Sequence, residues 1–233
     1  MKISVLGIPE FPLGKKILPD ERLEQLKDLL RSPKIIYISL EFLDDSKLQE
    51  SDGIICLEDK KTDLIISDLD LIEKRLNQSS DEKEKKLLSR CQAELEKEVF
   101  LSELNFSEEE KPLLSNLGFL SLRPVLLVSR ENAIHHNELI KNIYQLIGGA
   151  AFFTANEKEL HAWQIKKGMT ALEAAGCIHS DIQRGFIKAE VIGYEDIIKS
   201  GGLNQAKSQG LMRLEDKDYA VKDGDLIKFR FNV

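Results

Sequence analysis

Residues 7 to 16, GIPEFPLGKK, follow the apolar run MKISVL and bring together glycine and lysine, the pair that holds phosphates. A phosphate-binding loop reads G-x-x-x-x-G-K-[ST]. Its backbone N–H groups and lysine cradle the phosphates, and its hydroxyl holds Mg²⁺. Counting from Gly7, the second glycine falls on Pro12, which has no N–H to donate. Counting back from Gly14 and Lys15, the first glycine falls on Pro9 and the hydroxyl position on Lys16. Glu10 adds a carboxylate beside the phosphates. A working loop also opens a helix, whose N-terminus supplies donors and dipole. Here ILPDERL follows, and Pro19 leaves room only for a short turn. Local chemistry therefore points to a strand-to-loop turn that does not bind a triphosphate.

Other chemistry-bearing residues lie toward the C-terminus. His179 and Asp181 in IHSDIQRGFIKAE could be a general base and its orienting carboxylate. No nucleophile or metal partner is nearby, so hydrogen bonds that hold a turn are the simpler reading. Arg184 and Lys188 in the same stretch could meet phosphate or form ordinary solvated surface. Trp163, the only tryptophan, is either core or a stacking platform beside Lys166 and Lys167. Lys228 and Arg230 share one face of the last extended segment. His135 and His136 lack ligand spacing to any cysteine or carboxylate cluster and read as loop residues, so no metal or cofactor is expected.

Composition bounds these readings. The chain has 233 residues, 42% hydrophobic and 31% charged, as in globular domains. No apolar run approaches the roughly 18 residues of a membrane span, and no secretory signal is visible. Cys56, Cys91 and Cys177 are far apart and lack C-x-x-C spacing, which predicts buried, reduced thiols and a cytoplasmic protein. The net charge of −7 is uneven: Ala150 to Val233 carries 12 basic and 12 acidic residues, so the remainder carries all of it. Nonspecific nucleic-acid binding over the whole surface is excluded and DNA is not an expected partner; RNA contact requires a local patch.

The elements that position these residues follow from periodicity. KISVLGI, SPKIIYISLEF and DGIICLED read as strands, and PDERLEQLKDLL as a helix with Leu23, Leu26, Leu29 and Leu30 on one face. Strand, helix, strand, strand predicts an α/β core. Leu69, Ile72 and Leu76, then a break at NQSS, then Leu88, Cys91, Leu95 and Val99 predict a helical hairpin inserted at about 68–117. Ser107 and Glu110 form a capping box. RPVLLV returns to strand, HNELIKNIYQLIGG is a helix closed by glycine, and Gly148-Gly149 marks a domain boundary. Beyond it, AFFTA and ELHAWQIK read as strands, TALEAAG as a helix capped by Thr170, GFIKAEVI as extended, and DYAVKDGDLIKFRFNV as two strands around a Lys-Asp-Gly-Asp turn. Ile227, Phe229, Phe231 and Val233 face one way along the last strand. A small sheet crossed by a helix is the β-grasp, or ubiquitin-like, arrangement.

FFTANEKELHAWQIKKGMTALEAAGCIHSDIQRGFIKAEVIGYEDI, with LEDKDYAVKDGDLIKFRFNV at the terminus, resembles the C-terminal TGS domain of the YchF/Obg-like ATPases over nearly all of residues 150–233. Weaker likenesses continue upstream in the family's order. MKISVLGIP resembles the opening strand, PDERLEQLKDLL with EFLD the approach to the D-x-x-G motif, DLDLIEKRL and LNFSEEEKPLL the inserted helices, and RPVLLV the strand before the base-recognition motif. The family's G-x-x-x-x-G-K-S is absent. D-x-x-G begins at Asp44 but continues Asp45, Ser46, Lys47, and N-x-x-E falls on Ser129 to Asn132. No catalytic residue carries over.

The resemblance implies a shortened, P-loop-NTPase-like α/β domain at 1–147 with degenerate motifs, followed by a TGS-like β-grasp domain at 148–233. It implies a non-catalytic binding or regulatory protein associated with RNA, the ribosome or a translation-related protein. The partner face would be drawn from Trp163, Lys166, Lys167, His179, Arg184, Lys188, Lys228 and Arg230. The alternatives are a residual ATP- or GTP-binding ATPase using Gly7, Gly14, Lys15 and Asp44, and a purely protein-binding scaffold.

Overall fold

The computed structural model describes residues 1–232; Val233 lies outside the described residues. Along the chain run β1 (Lys2–Leu6), β2 (Gly14–Ile17), α1 (Glu21–Leu30), β3 (Ile35–Ile36), β4 (Ser39–Leu43) and β5 (Gly53–Leu57). Then come α2 (Lys61–Gln78), α3 (Glu82–Leu95), α4 (Glu110–Ser115), β6 (Val125–Val128) and α5 (His136–Leu146). The C-terminal part holds β7 (Gly149–Ala155), β8 (Leu160–Lys166), α6 (Ala171–Ile178), α7 (Ser180–Arg184) and β9 (Phe186–Gly193). It ends with α8 (Tyr194–Ser200), α9 (Leu203–Ser208), β10 (Arg213–Glu215) and β11 (Asp225–Phe231). The architecture is mixed α/β with two sheets.

Contacts divide the chain into two units, and the division is not a single cut. One unit is Met1–Lys16 with Leu40–Ile147; the other is Ile17–Ser39 with Gly148–Val233. The boundary expected from sequence assigned all of 1–147 to one domain; residues 17–39 instead fold with the C-terminal sheet. The extended run KIIYISLEF, one strand by its pattern, is therefore two. Ile35–Ile36 pairs with Leu160–His161 of β8, whereas Glu41–Leu43 pairs with Lys2–Ser4 of β1.

In the first unit the sheet order is β2-β4-β1-β5-β6, with β4, β1, β5 and β6 parallel along their shared edges. β5 is buried at every position, as a central parallel strand must be. The helical hairpin forms as its spacing predicts: Ile72, Leu88, Cys91 and Leu95 are wholly buried in one cluster with Leu64, Ile54 and Cys56. The NQSS break is a cap-to-cap turn, in which the Asp81 carboxylate accepts from Lys83 N–H at 2.9 Å. Val99 does not extend α3, because Glu98 turns left-handed at φ 60°. Ser107 and Glu110 exchange the two hydrogen bonds of a capping box at 3.3 and 2.8 Å.

In the second unit the order is β10-β9-β11-β7-β8-β3. β7 and β8 pair antiparallel from Gly149↔Lys166 to Ala155↔Leu160. β11 pairs antiparallel with β9 and parallel with β7. One face of this sheet carries Phe152, Ile165, Val191, Ile227 and Phe229 against Ala171, Ala174 and Ala175 of α6. Strand alternation puts Phe153, Ala162, Ile192 and Leu226 on the opposite face, all buried. There α1 packs on β8 and α8, with Leu23 and Leu26 fully buried. Arg22 holds that contact: its guanidinium lies 5.3 Å from the Phe153 ring centroid and bridges Asp20 and Asp223 at 2.8 and 2.9 Å. The expected strand over DYAV is absent apart from a single Thr170↔Ala220 bridge. That segment is drawn toward α6 instead, where Tyr219 and Met169 carbonyls accept from Ala171 and Val221 N–H. The strand next to β9 is the short β10 upstream.

Candidate functional site

The residues that sequence singled out fall in both units. In open parallel sheets, ligands bind outside the carboxyl ends of the strands where the chain's strand order reverses. β1 is that strand in the first sheet, flanked by β4 and β5, and Gly7 follows it directly.

Gly7 is left-handed at φ 81°, and a side chain there would meet the Lys60 Cγ at 2.7 Å. The loop then folds inward: Phe11 N–H donates to Ile8 C=O, and the Phe11 ring is buried 5.0 Å from the centroids of both Phe42 and His136. What remains open is a shallow cavity of about 260 Å³, below the ~300–1,000 Å³ usual for small-molecule sites. Its apolar wall includes Val5, Ile8 and Leu13, its charged groups are Asp44 and Asp45, and no lysine or arginine lines it. Gly14 and Lys15 are exposed at the start of β2, an edge strand, so the loop after β1 leads into a strand and opens no helix of its own. The Asp44 carboxylate is engaged: it accepts from Ser46 N–H at 3.0 Å and from the Ser46 hydroxyl, which holds it below the usual carboxylate range. Ser129 closes a turn, its carbonyl accepting from Asn132 and Ala133 N–H, and Arg130 pairs with Asp59. Gly7 and Asp44 thus share one cavity, while Gly14 and Lys15 stand apart from it.

The second unit distributes its candidates over three places. Trp163 is half-buried against the α6-side core, donates Nε1–H to Thr154 Oγ1 at 2.9 Å, and stacks at 3.8 Å on His161. Partial burial holds the His161 imidazole below its ordinary pKa. With its indole N–H satisfied and its ring covered on one side, Trp163 serves the core reading. Lys166 and Lys167 are exposed at the end of β8. His179 caps α7, its Nδ1 accepting from Asp181 N–H at 3.1 Å, and Arg184 bonds Asp181 at 2.8 Å. The imidazole nitrogen thus accepts from the backbone and closes the start of α7, with the Asp181 carboxylate 3.5 Å away. Lys188, Lys228 and Arg230 do come together on the sheet face opposite α6, with Arg230↔Lys188 and Lys228↔Glu190 as cross-strand partners. Lys188 is paired with Asp216 and Arg230 with Glu190, both at 2.5 Å; Lys228 has no such partner among the described residues.

Sequence reasoning missed two more cations on that face, Lys158 and Lys207, which line a groove of about 740 Å³ with Lys228. The NEKE turn carried a usable signal: Asn156 Oδ1 accepts from Lys158 and Glu159 N–H at 2.8 and 2.9 Å, an Asx turn. Cys177 corrects another expectation. Cys56 and Cys91 are buried, with thiols pushed up to about 12 and 11 by burial, but Cys177 is exposed near the end of α6, 3.8 Å from Met169 Sδ. Among the described residues no His/Cys/Asp/Glu cluster could hold a metal, and no helix is long and apolar enough to cross a membrane.

Residues 150–232 match the family YchF-GTPase_C, described as a protein of unknown function (DUF933). The "Ribosome-binding ATPase YchF" of Bacillus subtilis is 33% identical over 267 residues, covering 85% of this chain and 73% of that protein. The protein of the same name from Escherichia coli O157:H7 is 28% identical over 318 residues, covering 93% of this chain and 88% of that protein. Because 85% of 233 residues is about 198, the Bacillus protein has roughly 69 residues in the matched stretch with no counterpart here. The YchF GTPase of Schizosaccharomyces pombe superposes over 99% of this chain with a TM-score of 0.78 at 16% identity, a likeness of fold.

Proposed function

The chain belongs to the YchF family, and we propose that it is a nucleotide-independent member: a binding protein of the translation machinery that keeps the family's TGS-like β-grasp unit and has lost its phosphate site. The observation that carries this reading is the course of the chain after β1. Where a phosphate loop leads into a helix, this chain buries Phe11 and enters the edge strand β2 at Gly14. Phosphoryl transfer rests on positioned donors and metal around the phosphates. The cavity beneath the loop offers two carboxylates and an apolar wall, a lining that repels a triphosphate.

The sheet order β2-β4-β1-β5-β6 supports reading the first unit as a shortened G-like domain, and the second sheet with α6 across it supports the β-grasp reading. Without a γ-phosphate to order switch loops, an on/off cycle has no driver. Relatives named as ribosome-binding support association with the ribosome, and hence the cytoplasm; the second unit is our choice for the contact. Calorimetric titration with ATP and GTP in Mg²⁺ tests the first half of the proposal: no heat and no thermal shift are expected, and micromolar binding of either nucleotide overturns it. Co-sedimentation with ribosomes, unchanged by nucleotide, tests the second half; absence from the ribosomal pellet overturns it.

A further inference from the structure

The groove on the open face of the second sheet has a chemistry of its own. Ile192 and Leu226 of β9 and β11 lie buried beneath it, and the half-buried Leu203 and the exposed Met212 are apolar groups that a ligand can reach. Met212 is 36% exposed and gives the groove an apolar contact point beside its charges. Around the groove stand three ammonium groups, Lys158, Lys207 and Lys228. None forms an ion pair among the described residues, and each is exposed. Two carboxylates, Glu157 and Glu190, also line the groove, and Glu190 is neutralised by Arg230 at 2.5 and 2.6 Å.

The three lysines are held by different elements. Lys158 sits in the Asx turn fixed by Asn156. Lys207 follows Ala206, which is wholly buried and whose carbonyl accepts from Leu211 N–H. Lys228 lies in the middle of β11, opposite Glu190. The cationic groups are therefore placed on a scaffold rather than at the ends of mobile loops, and their stems extend the apolar surface.

That combination selects a class of ligand. Single-stranded RNA is held by aromatic rings on which bases stack and by arginine forks on phosphates. No aromatic residue and no arginine lines this groove. Phosphates also leave Leu203 and Met212 without an apolar partner. A polypeptide with carboxylates flanking leucine-type side chains uses both parts: the apolar side chains pack on Leu203 and Met212 and the carboxylates meet the lysines.

We propose that this groove docks an acidic, amphipathic segment of a partner protein. The inference depends on the second unit alone and stands whether or not the first unit has lost nucleotide.

The test is fluorescence anisotropy on the full chain with a labelled peptide of about ten residues alternating glutamate and leucine, against polyglutamate and oligouridylate of the same length. The alternating peptide is expected to bind about tenfold or more tighter than either comparison probe. Reversing the three lysines together, Lys158→Glu, Lys207→Glu and Lys228→Glu, should weaken it by at least about tenfold. Met212→Asp should do the same without touching a lysine, with circular dichroism confirming that each variant is folded. Raising salt should weaken binding, because the pairs are at the surface. Equal binding by the charge-reversed variant, tighter binding of oligouridylate, or no binding of the alternating peptide overturns the proposal.

Discussion

The two units treat an opening in a sheet in opposite ways. In the first, the crest of β1 is filled by Phe11 and what is left is lined by Asp44 and Asp45. In the second, Lys158, Lys207 and Lys228 line a larger groove beside Leu203 and Met212. Their net charges differ too. Residues 17–39 and 148–233 hold 16 basic and 16 acidic residues, leaving 17 and 24 for the first unit, so all of the −7 lies there. The first unit is filled and acidic at this point; the second is neutral overall and places three cations without ion pairs among the described residues beside a groove. The difference says where to look for function in a chain whose relatives are named for an ATPase activity.

The strongest attempt to break this comparison is Phe11→Ala. Removing a buried phenylalanine costs about 3–5 kcal/mol through lost transfer energy and the cavity left behind. Amide hydrogen exchange of the first unit should show the loss. Trp163, the one tryptophan, lies in the second unit, so its fluorescence should report a nearly unchanged transition. If Phe11 merely covers a working phosphate site, the variant will gain ATP binding measurable by calorimetry. The expected outcome is destabilisation with no gain, since emptying the loop still leaves two carboxylates and no lysine or arginine in the cavity lining.

Much of this organisation was legible in the residues, and the part that was not has a common cause. Helices with a clean apolar stripe and side-chain caps were readable: α1 with Asp20 accepting from Arg22 N–H at 3.1 Å, α6 with its Thr170–Glu173 capping box, and the α2–α3 hairpin. These depend on contacts a few residues apart. KIIYISLEF reads as one strand because both halves are apolar; only partners distant in sequence, Leu160 for Ile35 and Ile3 for Phe42, send the two halves to β8 and to β1. The arithmetic of the phosphate loop showed what residues 7–16 lack, but not that Phe11 would occupy the space. Lys158 and Lys207 gave no joint signal, since a turn and a six-residue helix meet across the sheet face only after β9 and β11 are paired.

A sharper test of where the division runs is Arg22→Ala. Arg22 is partly exposed, so its ion pairs are screened, but it also donates to two carboxylates and covers Phe153. Burial alone would lower its pKa; the bonds and charges of Asp20 and Asp223 outweigh that and raise it. Asp223 in turn accepts from Ala151 N–H at 2.8 Å, so the pair ties α1 to β7. Loss of the guanidinium should cost about 2 kcal/mol, read as an earlier Trp163 transition in urea. A shift confined instead to hydrogen exchange in the first unit would mean that residues 17–39 belong with the domain their sequence position suggested.

The smallest effect separates the units by pH. Glu84 in α3 is nearly buried and accepts from Arg75 Nε at 2.7 Å and Nη2 at 3.2 Å, and also from the Ser79 hydroxyl. The Arg75 bonds, before the Ser79 bond, hold its pKa below the ordinary 4.5. A carboxyl whose folded pKa is depressed adds stability above its unfolded pKa and loses it as pH falls through the folded value. The hairpin should therefore loosen in acid below about pH 4.5, and Glu84→Gln should remove that part of the pH dependence. At neutral pH the substitution should cost only about 1 kcal/mol, because Arg75 is 45% exposed and the pair is screened. Hydrogen exchange in α2 and α3, followed from pH 7 downward, should converge for parent and variant once Glu84 is protonated. If the two profiles stay parallel at every pH, the Arg75–Glu84 bond contributes no charge-dependent stability, and the acid response of the first unit must come from its diffuse negative charge.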